Sequence, residues 1–426
     1  MLKVKILGGG REVGRAAVSI SLSNKKQSLI LDYGINFDEE DKPRFPEHVK
    51  PSDVAGLILT HAHLDHVGAA PMLHVTSRVP TVATALTKRL CEIMIKDFLK
   101  ISGYYLPYEE VDLYNMIDNI PDYSYENDIY LGDGAYRVKL LNAGHIPGSS
   151  MAYVEVEGSN IVYTGDVNTI DTRLVSRANV SVARADVVII EATYGWIKHP
   201  PRKLVEKEFL DAVKEVTDRG GNVLIPAFSL GRAQEILTLL YEGFGGSVFY
   251  DGMIRQIYEV FISYPEYINK YEELLKSKEE FKPVIRPSQR RRIVEGRGNV
   301  VVASAGMLKG GPAVYYLKKL AGNPLNAVFM VSYQAPGTPG RYLLEDGIPS
   351  EEVGPVKARV QWFDFSSHAG VDGLLELLNS FKEVKHVVVI HTSEKTGKYF
   401  VEKIKEVMND VSVHLPHNNE ELTLEW

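Results

Sequence analysis

The stretch that decides the fold is His61-Ala62-His63-Leu64-Asp65-His66, which carries three histidines and one aspartate within six residues. It follows the apolar run Leu57-Ile58-Leu59-Thr60, so we predict a loop that leaves a buried strand. Imidazole and carboxylate groups are the ligands of catalytic zinc sites, which keep a coordination position open for water. This density of ligand groups predicts a metal centre rather than an ordinary polar turn.

Two later residues provide further ligand types at predicted strand ends. His145 lies in Ala143-Gly144-His145-Ile146, and Asp166 closes the segment Tyr163-Thr164-Gly165-Asp166. Together with the first loop, they provide enough ligands for two metals. An earlier glycine run, Gly8-Gly9-Gly10, lacks the Gly-x-Gly-x-x-Gly order of a dinucleotide loop, so we interpret it as a tight turn between two strands.

Composition limits the class of protein. The chain has 426 residues, 45% hydrophobic and 24% charged, which suffices for two domains with apolar cores. A single cysteine, Cys91, excludes an internal disulfide and favours a cytoplasmic setting. The N-terminus lacks the apolar stretch of a signal peptide or membrane span, so we expect no membrane association. The net charge of −7 argues against a protein that coats nucleic acid through its overall charge. It does not exclude a nuclease, because bound cations would reverse the sign of the electrostatic field at the site.

The order of the predicted elements divides the chain into three segments. As far as about residue 195, short apolar strands such as 4–7 and 187–191 are separated by turns. Helix and strand then alternate, for example at 203–217 and 223–227, which predicts a parallel α/β unit. From about Val356, strands that end in ionisable residues return. We therefore predict an inserted domain at 196–354 between two parts, 1–195 and 355–426, of one metal-binding domain.

The His-x-His-x-Asp-His run, with the later histidine and aspartates, resembles the metallo-β-lactamase-fold hydrolases. This resemblance implies an α/β fold, an αββα sandwich, with two zinc ions per chain. The resemblance implies that Asp32 orients a ligand histidine. The alternative is that Asp32 only begins the turn before Gly34. The implied ligands are His61, His63 and His145 for one zinc, Asp65 and His66 for the second, and Asp166 between them.

The inserted segment resembles the β-CASP subgroup of this fold, whose members process nucleic acids and include archaeal homologues of the cleavage and polyadenylation specificity factor nuclease. The local matches are Glu191 in Ile190-Glu191-Ala192-Thr193-Tyr194, His368 in Phe365-Ser366-Ser367-His368-Ala369, and His391 in Val389-Ile390-His391-Thr392. The resemblance implies that His391 completes the second zinc site and that His368, oriented by Glu191, lies near the scissile phosphate. Taken singly, each late histidine is equally well explained as a helix-start or strand-end residue.

The resemblance also implies a substrate and a reaction. A histidine at the position of His391 accompanies RNA-processing members, so we expect a zinc-dependent ribonuclease acting on single-stranded RNA. Two metals about 3.5–4 Å apart stabilise the oxygens of an in-line displacement at phosphorus, and a histidine suits protonation of the leaving group. Endonucleolytic and 5′-to-3′ exonucleolytic cutting use the same metal site, so the motifs do not separate them. A DNA nuclease and a non-catalytic RNA-binding scaffold are the alternatives.

Candidate RNA contacts come from backbone turns and from one dense basic cluster. In the family, the active site lies between the two domains. Free N–H groups at 304–306 are expected to form an anion-binding nest, and an ordinary strand-to-helix turn is the alternative. Guanidinium groups pair well with phosphate, although most charge runs are solvated surface. The candidate residues are Ser304, Gly306, Ser366, Ser367, Arg290, Arg291 and Arg292.

The partners are less constrained by the sequence. Specificity is expected from a homodimer or from an RNA-processing complex. The predicted strands at 411–415 and 422–426 either form a dimer contact or close a sheet within the chain.

Overall fold

The computed structural model describes residues 1–182 and 184–425, which form two compact units. Unit 1 comprises Met1–Asp171, Ser176–Lys198 and Ser367–Trp426, and unit 2 comprises Thr172–Val175 and His199–Ser366. None of the helices that the structure describes is both long enough and apolar enough to span a bilayer.

The first stretch of unit 1 is rich in strands. Its helices are α1 (Leu64–Val67), α2 (Ala85–Ser102) and α3 (Glu110–Asp118). Its strands are β1 (Leu2–Gly8), β2 (Ala17–Leu22), β3 (Ser28–Leu31), β4 (Asn36–Phe37), β5 (Pro43–Arg44), β6 (Val54–Ile58), β7 (Thr81–Val82), β8 (Ile129–Leu131), β9 (Tyr136–Asn142), β10 (Ser150–Val156), β11 (Ser159–Tyr163) and β12 (Val187–Glu191).

Unit 2 alternates helices with short strands. Its strands are β13 (Val223–Pro226), β14 (Ser247–Asp251), β15 (Lys282–Pro283), β16 (Asn299–Ala303), β17 (Ala327–Met330) and β18 (Arg359–Trp362). Its helices are α4 (Arg202–Asp218), α5 (Arg232–Gly243), α6 (Ile254–Ile262), α7 (Tyr271–Glu280), α8 (Pro287–Glu295), α9 (Gly311–Leu320) and α10 (Pro339–Asp346).

The chain then returns to unit 1 with two helices and three strands. These are α11 (Val371–Ser380), β19 (His386–Ile390), α12 (Glu394–Val407), β20 (Ser412–His414) and β21 (Glu421–Leu424). Both C-terminal strands pair within the chain, β21 with β1 and β20 with β19. The predicted strand at 422–426 therefore closes a sheet, although its last residue lies outside the described residues.

Unit 1 is a sandwich of two sheets. The sheet orders are β21-β1-β2-β3-β6-β7 and β20-β19-β12-β11-β10-β9-β8. One buried cluster contains Val4 of β1 and Ile189 of β12, so the two sheets pack face to face. Neighbours of Ile189 point to the opposite face, as strand geometry requires, and pack there against Leu374 of α11 and Phe400 of α12. A sheet covered on both sides agrees with the predicted α/β sandwich.

Unit 2 contains one parallel sheet in the order β15-β14-β16-β13-β17-β18. Strand β16 is almost wholly buried, as expected of a parallel sheet with helices on both faces. The predicted parallel α/β insert is therefore present. The boundary predicted at residue 354 lies inside this unit, because β18 pairs with β17 in the same sheet and the unit continues to Ser366.

An aromatic cluster holds α4 against this sheet. The ring of Phe209, fully buried, lies edge-on to Phe363 and Phe365 at centroid distances of 5.3 Å and to Phe329 at 6.3 Å. Such edge-to-face pairs add to the stabilisation from burial alone.

We expect the substitution Phe209→Ala to lower the free energy of unfolding by about 3–5 kcal/mol, because it leaves a cavity between α4 and the sheet. Urea denaturation followed by circular dichroism measures the change. Leu204→Ala on the same helix is the control, since this side chain is 49% exposed, and its effect should stay within about 0.5 kcal/mol. Equal losses in both variants would contradict the packing described.

Candidate metal centre

The loop after β6 is held by backbone hydrogen bonds to the segment after β3. Tyr33 N donates to the carbonyl oxygen of His66 at 2.8 Å, and Ile35 N donates to that of Leu64 at 3.0 Å. Between them the backbones approach so closely that a Cβ at residue 34 would lie 1.8 Å from the Asp65 carbonyl oxygen. Only glycine fits there, so Gly34 allows the loop to dock.

The first donor group consists of His61, His63, His145 and Asp166. His61 Nε2 lies 3.4 Å from Asp166 Oδ2, and His145 Nε2 lies 3.6 Å from the same oxygen. His145 Nε2 also faces His63 Nδ1 at 3.2 Å. Burial lowers the pKa of His61 and of His145, and it lowers the pKa of His63 to about 3. All three imidazoles are therefore neutral and keep a lone pair for a cation.

The second donor group consists of Asp65, His66, Asp166 and His391. His66 Nε2 lies 3.2 Å from Asp166 Oδ1, and His391 Nε2 lies 3.4 Å from Asp65 Oδ2. His391 Nδ1 lies 3.6 Å from Asp166 Oδ1, so both ring nitrogens face carboxylates. Burial would raise the pKa of Asp166, but the facing histidines, with His66 first, hold it well below its usual value.

The residues present fit a pair of transition-metal ions. Four buried ligand atoms have no hydrogen-bond partner among the described residues: His61 Nε2, His63 Nε2, His66 Nε2 and Asp166 Oδ1. Unpartnered buried polar atoms are costly, and each of these belongs to a donor group, that of Asp166 to both. Nitrogen ligands mixed with carboxylate oxygens suit zinc.

Asp32 lies behind the second donor group and is fully buried. Its Oδ2 faces His66 Nδ1 at 2.7 Å and accepts from Tyr163 Oη at 2.9 Å. Thr60 donates to both oxygens of this carboxylate, from its backbone N to Oδ1 at 2.7 Å and from its Oγ1 to Oδ2 at 2.8 Å. An imidazole that donates through Nδ1 keeps Nε2 free to act as a ligand atom, and His66 Nε2 here faces Asp166 Oδ1 at 3.2 Å.

A third group joins His368 and Glu191 to the shared carboxylate of Asp166. His368 Nδ1 lies 2.8 Å from Glu191 Oε1, and His368 Nε2 lies 3.9 Å from Asp166 Oδ2. Two backbone N–H groups, of Val167 and Thr193, donate to Glu191 at 3.0 and 3.1 Å and fix the carboxylate. Burial would lower the pKa of His368, but the two carboxylates, with Glu191 first, raise it to about 9.

Three contacting residues escaped the sequence analysis. Thr60 and Tyr163 bond to Asp32, and Thr193 Oγ1 lies 3.1 Å from His391 Nδ1. Each stands within three residues of a predicted site residue, so its sequence position was a usable signal. Its hydrogen-bond partner, Asp32 or His391, however, follows a different strand, and no local pattern indicates such a pairing.

The predicted anion-binding nest at 304–306 is partly wrong. Ala305 N donates to Gly310 O at 3.3 Å, and Ser304 N lies 3.5 Å from Asp251 O, so neither group is free. Gly306 O accepts from the Gln334 amide at 3.0 Å, which ties the loop to the segment after β17. The loop uses its own backbone groups to form a compact turn.

Four of the other candidate RNA contacts, Arg290, Arg291, Ser366 and Ser367, also have intramolecular partners. Arg290 pairs with the buried Asp251 through Nε at 2.7 Å and Nη2 at 3.1 Å, and Arg291 pairs with Glu295 at 2.7 Å. Arg292 lies exposed on α8. In unit 2, Ser366 O accepts from Arg202 at 2.8 Å. In unit 1, Ser367 O lies 2.9 Å from His145 Nδ1, which directs the other nitrogen of that ring toward the first donor group.

Comparison with domain families agrees with this geometry. Residues 14–177 match the model described as the metallo-beta-lactamase superfamily, and residues 233–343 match the Beta-Casp domain. Residues 353–416 match a Zn-dependent metallo-hydrolase RNA specificity domain. A crystal structure of a protein of unknown function from Enterococcus faecalis V583 is similar, with a TM-score of 0.64 over 99% of this chain and 100% of that one. Its sequence identity is 13%, so it shows the fold alone.

Curated relatives extend over nearly the whole chain. The protein named RNase aCSPSF2 from Saccharolobus solfataricus is 46% identical, covering 99% of this chain and 85% of its own. Probable RNase MJ4 from Methanocaldococcus jannaschii is 36% identical, with 88% and 90% coverage, and transcription termination factor FttA from the same organism is 34% identical, with 98% and 71%. The resemblance drawn from the motifs is thereby confirmed, and the chain belongs to the β-CASP family of metallo-β-lactamase-fold hydrolases.

Proposed function

We propose that this protein is a zinc-dependent ribonuclease that hydrolyses phosphodiester bonds of single-stranded RNA and binds two zinc ions. The observation that carries the proposal is the convergence of two donor groups and the His368–Glu191 pair on the single carboxylate of Asp166. Relatives named RNase and a matched RNA specificity domain support RNA as the substrate. Endonucleolytic and 5′-to-3′ exonucleolytic cutting both remain within the proposal.

The ligand set proposed for the two ions follows the donor groups. His61, His63 and His145 would hold one ion, Asp65, His66 and His391 would hold the other, and Asp166 belongs to both groups. When bound, the ions supply Lewis-acid stabilisation of the oxygens that gain charge during displacement at phosphorus. Asp32 keeps His66 in its ligating orientation, because it bonds the opposite ring nitrogen at 2.7 Å.

The residue proposed to move a proton is His368. The hydrogen bond from Nδ1 to Glu191 leaves the Nε2 proton of the charged ring as the one to donate to the leaving oxygen. Because the neighbouring carboxylates raise the pKa of His368 to about 9, the ring is protonated at neutral pH. Glu191 therefore acts as a positioning residue that also keeps this acid charged.

The proposal includes a metallo-β-lactamase domain interrupted by an inserted β-CASP domain, and the limits of the insert differ from those predicted from the sequence. The inserted β-CASP domain is taken to run from 199 to 366 rather than from 196 to 354, because these are the bounds of the main segment of unit 2, which also includes Thr172–Val175. The metallo-β-lactamase domain then comprises the remaining residues on both sides.

We expect the zinc-loaded protein to cut end-labelled single-stranded RNA and to lose this activity when a chelator removes the metal. The double variant Asp65→Ala/His66→Ala should be inactive, because it removes two side chains of the second donor group. His48→Ala, a histidine outside the donor groups, is the matched control and should cut at the wild-type rate. Intact RNA with the wild type, or equal cutting by the double variant, would contradict the proposal, and preferential cutting of single-stranded DNA would change its substrate.

We expect Glu191→Gln to shift the alkaline limb of the pH–rate profile to lower pH. Without the carboxylate, burial lowers the pKa of His368, so the protonated acid is lost at a lower pH. His368→Ala should lose about 100- to 10,000-fold in rate and show no such limb. Cleavage rates across a pH series test both variants, and an unmoved limb in Glu191→Gln would exclude His368 as the titrating acid.

A further inference from the structure

The glycine-rich loop at 9–16 packs against the second donor group. Gly9 O accepts a hydrogen bond from His391 N at 2.8 Å, and Gly14 N lies 3.0 Å from His391 Nε2. Ala16 N donates to the carbonyl oxygen of Asp65 at 2.8 Å. This loop, which begins within the predicted tight turn at Gly8-Gly9-Gly10, therefore contacts both His391 and Asp65, two residues that are far apart in the sequence.

The backbone of this loop lies close to Asp65 and Asn36 at Gly14. Gly14 has φ +85°, which favours glycine, and a Cβ there would lie 3.5 Å from the Asp65 Cβ and 3.2 Å from that of Asn36. Arg11 and Arg15 also have positive φ, at 56° and 54°. A backbone in such conformations needs side-chain contacts to hold it.

Glu12 provides those contacts. Its Oε1 accepts from Arg15 Nε at 2.8 Å, from Arg15 Nη2 at 2.6 Å and from Asn418 Nδ2 at 2.8 Å. Its Oε2 accepts from Asn36 Nδ2 at 3.2 Å. The Glu12 side chain is 20% exposed and that of Arg15 is 14% exposed, so this pair is less screened than a surface ion pair.

The C-terminal turn closes the arrangement from the other side. Asn418 Oδ1 accepts from Gly10 N at 2.8 Å while its amide nitrogen donates to Glu12. The neighbouring Asn419 N donates to Ile6 O at 2.6 Å. Glu12, Arg15 and Asn418, which we name the bracket, thus tie the loop to a turn some four hundred residues away.

We propose that Glu12 and Asn418 are positioning residues that set the affinity of the second donor group for its metal. The bracket holds the loop so that Gly9 and Gly14 fix the backbone and ring of His391 beside Asp65. Within the described residues, no hydrogen bond joins this loop to His61, His63 or His145, so the effect is confined to the second group. The inference rests on the proposed function only in taking the donor groups as metal sites.

The test is a zinc titration of the full chain after chelation and dialysis, followed by calorimetry. We expect two equivalents to bind to the wild type. In Glu12→Gln and in Asn418→Ala, one equivalent should keep its affinity and the other should weaken about 10- to 100-fold, the usual loss when a residue behind a ligand is changed. Raising the zinc concentration should restore occupancy and RNA cleavage in both variants.

Two controls separate positioning from general damage. Glu155→Gln removes a carboxylate from another Glu–Arg pair of unit 1, with Arg137 at 2.6 Å, and should leave both zinc affinities unchanged. Thermal unfolding without zinc shows whether Glu12→Gln and Asn418→Ala remain folded. If one of these two variants fails to fold, the other tests the same contact from the opposite side.

The outcomes distinguish the two proposals. A wild type that binds no zinc would overturn the proposed function itself. Two equivalents in the wild type and unchanged affinities in both bracket variants would overturn only the positioning role. Equal weakening of both equivalents would also overturn it, because the bracket would then act on the fold rather than on the second donor group.

Discussion

Three sets of side chains approach one buried carboxylate, that of Asp166. Its Oδ2 faces His61 and His145, its Oδ1 faces His66, and His368 lies slightly farther away at 3.9 Å. A buried charge of this kind is very costly unless it is compensated, so the surrounding histidines and any bound cation are a condition of its burial. The same carboxylate acts together with Glu191 on His368, and against the lowering effect of burial the two raise the pKa of that ring to about 9.

The sheet of unit 1 explains why residues so distant in sequence meet there. Strands β11, β12 and β19 are adjacent and parallel, so their carboxyl ends lie at one edge of the sheet. Asp166 and His391 follow β11 and β19, and Glu191 ends β12. The loop after β6 reaches the same edge from the facing sheet, because its His61 and His66 lie beside Asp166. One apolar cluster joins both sheets. Burial of that cluster provides the rigidity that a metal centre needs.

Unit 2 shows how intramolecular pairing changes the meaning of a basic cluster. Arg290 stands in a run of three arginines, yet its guanidinium is bound to the buried Asp251, which also accepts from Tyr316 at 2.9 Å. Removing this arginine would leave a buried carboxylate with fewer partners, so its first role is to stabilise the unit. Arg291 and Arg292, the other two members of the run, are exposed on α8.

The sequence by itself determined much of this protein. The ligand-dense loop at 61–66, the strand-end positions of His145, Asp166, Glu191 and His391, and the parallel α/β insert all follow from short-range patterns, because strand and helix periodicity are local properties. Only the tertiary structure decided which of these groups share a carboxylate, that β18 belongs to unit 2, that Ala305 N is already bonded, and that Glu12 meets Asn418. Each of these depends on contacts between segments that are distant in sequence. Such contacts are set by the burial of whole sheet faces, and they produce no local periodicity from which they could be predicted.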